Sequence, residues 1–268
     1  VKDHKDTIAA SEEEIRHMTG DLDSLHHDVG MPAMKASLAE WREHLRSGST
    51  KPTSRRVFLL GTGGIIGAGA LAAACSTSSS SSSSGSRASA AGASGSSETQ
   101  AQLTGDLAVA ALAASLENLA VYAYGAAISA AKAGKLGTVP PAISQFAVTV
   151  KTQHTQHAAA WNSILTAAGK KPVTVTDPKL TPTVNQKFAQ VTNVTELGQL
   201  ALLLENIAAQ TYQAEASKLH SSRAVAVAST IQPVEMQHAA ILYYVLGEYP
   251  GIQNSSGPLA FNPTTQAA

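Results

Sequence analysis

Between about residues 98 and 250, apolar residues return every three or four positions in four long runs, interrupted by Gly, Pro and polar residues. That spacing is the period of a helix with one face turned to a core. The first run extends from about Gln102 to Lys132 and stops at Gly134 and Gly137. The second opens at Pro140-Pro141, where proline suits a first helical turn, and ends near Gly169. The third covers about Thr195 to His220, and the fourth about Ser222 to Glu248, closed by Pro250-Gly251. Short links inside each pair predict antiparallel neighbours. The connection between the pairs, Lys170–Asn193 with Pro172, Pro178 and Pro182, is too long for a tight turn. The pattern therefore predicts an all-α fold, a four-helix bundle of two hairpins joined by one long crossover. Pro233 is expected to disturb the fourth helix locally, and the tail 251–268 reads as irregular.

The runs repeat each other in their polar residues as well. Leu116-Glu117-Asn118-Leu119-Ala120 returns 88 positions later as Leu204-Glu205-Asn206-Ile207-Ala208, and Tyr124 returns at the same offset as Tyr212. His154-Thr155-Gln156-His157-Ala158-Ala159 matches Glu235-Met236-Gln237-His238-Ala239-Ala240 at an offset of 81. Each hairpin thus carries one carboxylate in an apolar run, then two ligand-type residues at i and i+3 on one helix face. A carboxylate buried without a cation, a proton or a donor is strongly unfavourable, so partners must converge on Glu117 and Glu205. Histidine usage points the same way. After the serine tract there are four histidines, and only His220 falls outside the motif. Asn118 and Asn206 are candidates either for supporting the glutamates or for interhelical hydrogen bonds. Tyr122, Tyr124, Tyr212 and Trp161 are candidates for hydrogen-bond partners, redox relays or plain core.

Upstream, the pattern changes character. Ser54-Arg55-Arg56 precedes an apolar, glycine-rich segment of 18 residues from Val57 to Ala74, at the lower limit for crossing a bilayer core of ~30 Å. It resembles a twin-arginine export signal, with Leu60 where a lysine is common; a permanent membrane anchor is the alternative. Leu71-Ala72-Ala73-Ala74-Cys75 resembles a bacterial lipobox in which Cys75 takes the lipid, although the usual aliphatic residue stands one place early. Cleavage by the ordinary signal peptidase is the competing expectation. Residues 76–97, with unbroken serine from Ser78 to Ser84, have the composition of a flexible tether. The expected division is a polar extension over 1–53, a signal with a lipobox-like end over 54–75, a linker over 76–97, a bundle over 98–250 and a tail over 251–268. In the extension only Met34–Leu45 looks amphipathic, through Leu38, Trp41 and Leu45, and the rest reads as mis-started or disordered. A true start at Met31 or Met34 would give the signal a more ordinary leader.

Composition changes this picture little. Nineteen Lys and Arg balance nineteen Asp and Glu, so no charge excess points to nucleic acid. Cys75 is the single cysteine, which excludes a disulfide within one chain.

Taken together, the Glu runs and the i, i+3 pairs resemble the ferritin-like superfamily over about residues 102–249. The resemblance implies a dinuclear centre, with Glu117, His157, Glu205, Glu235 and His238 at ligand positions. His154 stands where that family places a Glu that commonly bridges the metals. Iron or manganese is implied, with handling of those metals or oxidation by dioxygen or peroxide. The nitrogen-rich set also admits zinc or copper, and a single ion at Glu205, Glu235 and His238 is a further expectation. The expected setting is the outer face of a bacterial cytoplasmic membrane, with a lipid anchor and a protein partner or homodimer. The contrasting expectation is a cofactor-free helical interaction module with a degenerate site.

Overall fold

The computed structural model describes residues 8–47 and 103–248, and every regular element among them is helical. Four long helices match the four periodic runs: α3 (Gly105–Lys132), α4 (Pro141–Ala167), α6 (Val194–Ala216) and α7 (Ser222–Leu246). Two others, α1 (Glu12–Leu25) and α2 (Met31–Arg46), precede them, and a short α5 (Thr181–Phe188) lies in the crossover.

Local chemistry sets the helix ends. Pro141 occupies the first turn of α4. The Asn193 side chain accepts from the Glu196 amide to start α6, and the Ser221 hydroxyl accepts from the Arg223 amide to start α7, as N-capping requires. Gly247, at φ 68°, closes α7 in the left-handed conformation that glycine adopts without strain. Contrary to expectation, α7 runs unbroken through Pro233. Val234 and Glu235 beside it are buried, so packing holds the helix where proline removes one backbone bond.

Helix α3 packs along α4 and α6 along α7, forming the two hairpins, while α3 and α6 meet more loosely. Small side chains allow close approach; Ala110, Ala111 and Ala114 are wholly buried in α3. By length and composition alone α3 could cross a membrane, but half of its most apolar window is buried within the bundle. The crossover is pinned at Val173, whose carbonyl accepts from Asn118 at 2.8 Å and Asn162 at 3.0 Å.

The N-terminal extension departs from its expected character. Instead of lacking structure, residues 12–46 form one uninterrupted rod, in which α1 passes into α2 through a π-turn at His26–Gly30 with helical backbone at both junctions. A capping box at Ser11 starts it, the Ser11 amide donating to Glu14 at 2.8 Å. The rod's inner stripe is Ile15, Leu22, Met34, Leu38 and Trp41, all buried. From Leu22 to Leu38 the inward positions advance four residues at a time, overshooting the α-helical turn of 3.6. The wider turn at His26–Gly30 absorbs that drift, with the Met31 amide reaching back five residues to the His26 carbonyl.

This rod lies across α4 and α7. At one end Ala9 N donates to the Val245 carbonyl at 2.8 Å and Tyr244 donates to Glu14 at 2.7 Å. At the other, Trp41 packs edge-to-face on Trp161 with centroids 6.3 Å apart. The amphipathic piece expected at Met34–Leu45 is therefore only the second half of a longer element. Arg55, Arg56, Cys75, the linker 76–97 and the tail 251–268 lie outside the described residues.

Candidate metal centre

All six candidate residues meet at mid-bundle. Glu117 comes from α3, His154 and His157 from α4, Glu205 from α6, and Glu235 and His238 from α7, each at most 3% exposed. Two overlapping sets form. In the first, Glu117, His154, His157 and Glu235 each offer an atom within 4.8 Å of the others; in the second, His154, Glu205, Glu235 and His238 do so. His154 and Glu235 belong to both. His154 Nδ1 lies 2.8 Å from Glu117 Oε2, and its Nε2 lies 3.3 Å from Glu205 Oε1. Glu235 Oε1 is 3.0 Å from His157 Nδ1, and its Oε2 is 3.7 Å from both His238 Nδ1 and His154 Nδ1. His238 Nδ1 also lies 3.2 Å from Glu205 Oε2.

Three carboxylates face three imidazoles in a volume closed to water. Burial works against charge on Glu117, Glu205 and the three histidines, but the mutual attraction is larger. It holds Glu117 down at about 2, through the charge of His157 and through the charge of His154 and the hydrogen bond to it. Glu205 is driven well below the usual carboxylate range by His238 and His154. His157 is lifted to about 9 by Glu117 and Glu235, and His154 is raised well above its usual value by Glu235 and Glu205. His238 is raised as well, chiefly by Glu205.

Hydrogen bonding nevertheless leaves part of this cluster unsatisfied. Both oxygens of Glu235 and both ring nitrogens of His157 lack a well-formed hydrogen bond although all are buried. Natural interiors seldom tolerate such atoms. Of these, His157 Nδ1 and Glu235 Oε1 face each other at 3.0 Å within the first ligand set, and such an imidazole and carboxylate donor set fits transition-metal ions.

Tyrosines and a glutamine fix the ligands from behind. Tyr124 donates to Glu205 Oε1 at 2.6 Å and Tyr212 to Glu117 Oε1 at 2.5 Å. Burial and the nearby carboxylates hold both phenols well above their usual range, so both stay protonated donors. Trp161 donates to Tyr212 at 2.7 Å. His238 Nε2 donates to Gln153 Oε1 at 2.7 Å, which leaves Nδ1 as the nitrogen that faces the carboxylates.

Gln153 and His26 are two further residues of the centre that no sequence motif marks. Gln153 lies one helical turn before His157, a spacing that places it on the same face. His26 comes from the rod, its Nε2 donating to Gln156 Oε1 at 2.8 Å and its ring edge-on to His157 at 5.3 Å between centroids. Only the stripe from Ile15 to Trp41 signals that His26 points inward. Among the other candidates, Asn118 ties down the crossover, and Asn206 bonds to the Leu202 carbonyl and Tyr243, so both make structural bonds. Tyr122 is 45% exposed and bonds to Asn185. His220 is exposed beside Asp106.

Two apolar clefts approach the centre along the loose seam between α3 and α6. One ends at Glu117, His154 and Tyr212, the other at Tyr124, His154 and Glu205.

A family model described as a ferritin-like domain matches residues 105–248, more than half of the 268 residues. No curated protein and no solved structure matches the chain. Four helices supplying carboxylates and histidines to one buried point, matched over their whole length by that model, place this chain in the ferritin-like domain family.

Proposed function

We propose that the chain is an extracytoplasmic, lipid-tethered protein whose bundle holds a dinuclear metal centre, handling iron or manganese or carrying out dinuclear redox chemistry. The observation that carries the metal reading is the pair of buried ligand sets joined through His154 and Glu235. Glu117 and His157 would hold one ion and Glu205 and His238 the other, with His154 and Glu235 common to both. When bound, such a pair supplies Lewis acidity and one-electron chemistry toward dioxygen or peroxide. The protein's own part is separate. Tyr124 and Tyr212 orient the glutamates, Gln153 sets the His238 tautomer, and the apolar seam admits small uncharged molecules while excluding bulk water. Zinc, or one ion at the Glu205, Glu235 and His238 side, fits the same donors.

The setting rests on sequence features. Arg55-Arg56 before the apolar segment supports twin-arginine export, a route that carries folded proteins, and Cys75 followed by the serine tract supports a lipid tether at the outer face of the cytoplasmic membrane. A homodimer or protein partner belongs to the same proposal, and the charge balance offers nothing for nucleic acid.

A second reading has its own support. The short Glu117–His154 contact and the Glu205–His238 contact hold the cluster together without any ion, as in a cofactor-free interaction module. Metal content of the purified full chain, measured by mass spectrometry after expression with iron, manganese and zinc supplied, separates the two. Close to two equivalents, lost in the folded His157→Ala/His238→Ala double variant, supports the metal protein. No bound metal in the folded wild-type chain supports the module.

A further inference from the structure

We infer that His154 bridges the two metal ions through its own ring, Nδ1 serving the ion at Glu117 and His157 and Nε2 the ion at Glu205 and His238. The inference rests on the metal-binding reading above and adds to it the way the ions are joined.

The two nitrogens of His154 face opposite halves of the centre. Nδ1 lies 2.8 Å from Glu117, and Nε2 lies 3.3 Å from Glu205. No other imidazole in the cluster is divided in this way. His238 commits its Nε2 to Gln153, so only its Nδ1 faces the carboxylates. His157 turns its Nδ1 to Glu117 at 3.6 Å and Glu235 at 3.0 Å, on one side of the centre only. Glu235 reaches both halves with its two oxygens, Oε1 lying 3.0 Å from His157 Nδ1 and Oε2 3.7 Å from both His238 Nδ1 and His154 Nδ1. Each ion is then offered two oxygens and two nitrogens, and the halves are equivalent in chemistry although the sequence repeat pairs His154 with Glu235.

Bridging would exchange bonds evenly: each N–H bond that the His154 ring gives up is replaced by a metal–nitrogen bond, and the proton passes to the buffer. Histidine can stand in for a bridging carboxylate here because both of its nitrogens are placed to act, one toward Glu117 and one toward Glu205.

Copper(II) makes the bridge visible. The full chain is titrated with copper alone, bound metal is counted by mass spectrometry, and electron paramagnetic resonance is recorded for wild type and His154→Gln, whose side chain has one ligand atom. Expected for wild type are two coppers and a signal several-fold weaker than two isolated ions give, because a conjugated ring couples their spins. In His154→Gln loaded with two coppers, where only the Glu235 carboxylate would still join them, the signal per bound copper should rise several-fold toward that of isolated ions, with the fold verified by circular dichroism. One copper per chain in wild type, two coppers at full signal, or unchanged coupling in His154→Gln would each overturn the bridge while leaving metal binding intact. No bound copper, iron, manganese or zinc would overturn the metal reading itself. Where the glutamine variant does not fold, His154→Glu replaces it. That variant should keep two coppers but alter the coupling, and identical coupling would overturn the inference.

Discussion

Tyr212 donates to Glu117 across the seam between α6 and α3, and its repeat counterpart Tyr124 returns the bond from α3 to Glu205 on α6. Each tyrosine thus anchors the glutamate of the opposite hairpin. Each occupies Oε1, while Oε2 of Glu117 faces His154 and Oε2 of Glu205 faces His238. Groups that orient ligands in this way contribute roughly 10–100-fold to metal affinity. Tyr124→Phe and Tyr212→Phe should each weaken metal binding by about that factor in competition with a chromophoric chelator. Tyr122→Phe, which loses only a bond to Asn185, should leave affinity unchanged.

Sharing of Glu235 between the two ligand sets makes its loss different in kind from the loss of Glu117. Glu117→Gln should retain about one ion, at Glu205 and His238, whereas Glu235→Gln should retain neither. Metal counting on both folded variants checks this directly, and equal stoichiometry in the two would show that the sets are independent.

Acid–base behaviour of the metal-free protein follows from the shifted groups. His157, raised from 6.5 to about 9, stabilises the fold fully below 6.5 and loses that contribution as pH rises toward 9. His154 and His238 act in the same direction. Glu117, lowered from 4.5 to about 2, contributes above 4.5 and loses its effect as pH falls toward 2. His26, lowered from 6.5 to about 4 by burial and by His157, costs stability as pH falls through that interval. Thermal unfolding of the metal-free chain should therefore peak near pH 6.5 and decline on both sides. Bound metal should reverse the alkaline decline, because its ligands must give up their protons.

The rod formed by α1 and α2 should be measurable in stability. Trp41, 2% exposed against Trp161, fills a site whose truncation to alanine should cost about 3–5 kcal/mol in urea unfolding. A change near zero would mean that the rod is not docked on the bundle in solution. His26→Phe, which keeps a planar ring but loses the bond to Gln156, should cost less.

The bundle was legible because its helices are long, apolar and punctuated by Gly134, Pro141 and Gly169, where local chemistry and tertiary packing agree. The six ligand candidates were legible because a carboxylate buried in an alanine-rich run must draw partners to itself, and because the motif occurs twice. The rod was hidden by its charges. Glu12, Glu13 and Glu14 open it, and its inward stripe drifts off the helical period before a π-turn restores it. Gln153 was hidden for another reason. A buried amide beside two histidines has no periodic mark, and its role depends on His238, which lies 85 positions away in the chain. Pro233 shows the converse, a strong local signal overruled by the packing around α7.

The segment 12–46, which walls the α4 and α7 side of the bundle, precedes Arg55 and Cys75 in the chain. As parts of one polypeptide, wall and bundle meet at a raised effective concentration and not as free partners. A maturation cut before Cys75 would sever that link and leave the rod held by its own affinity alone. Its departure would uncover Trp161 and the back of His157, so processing would also set how readily solvent reaches the centre.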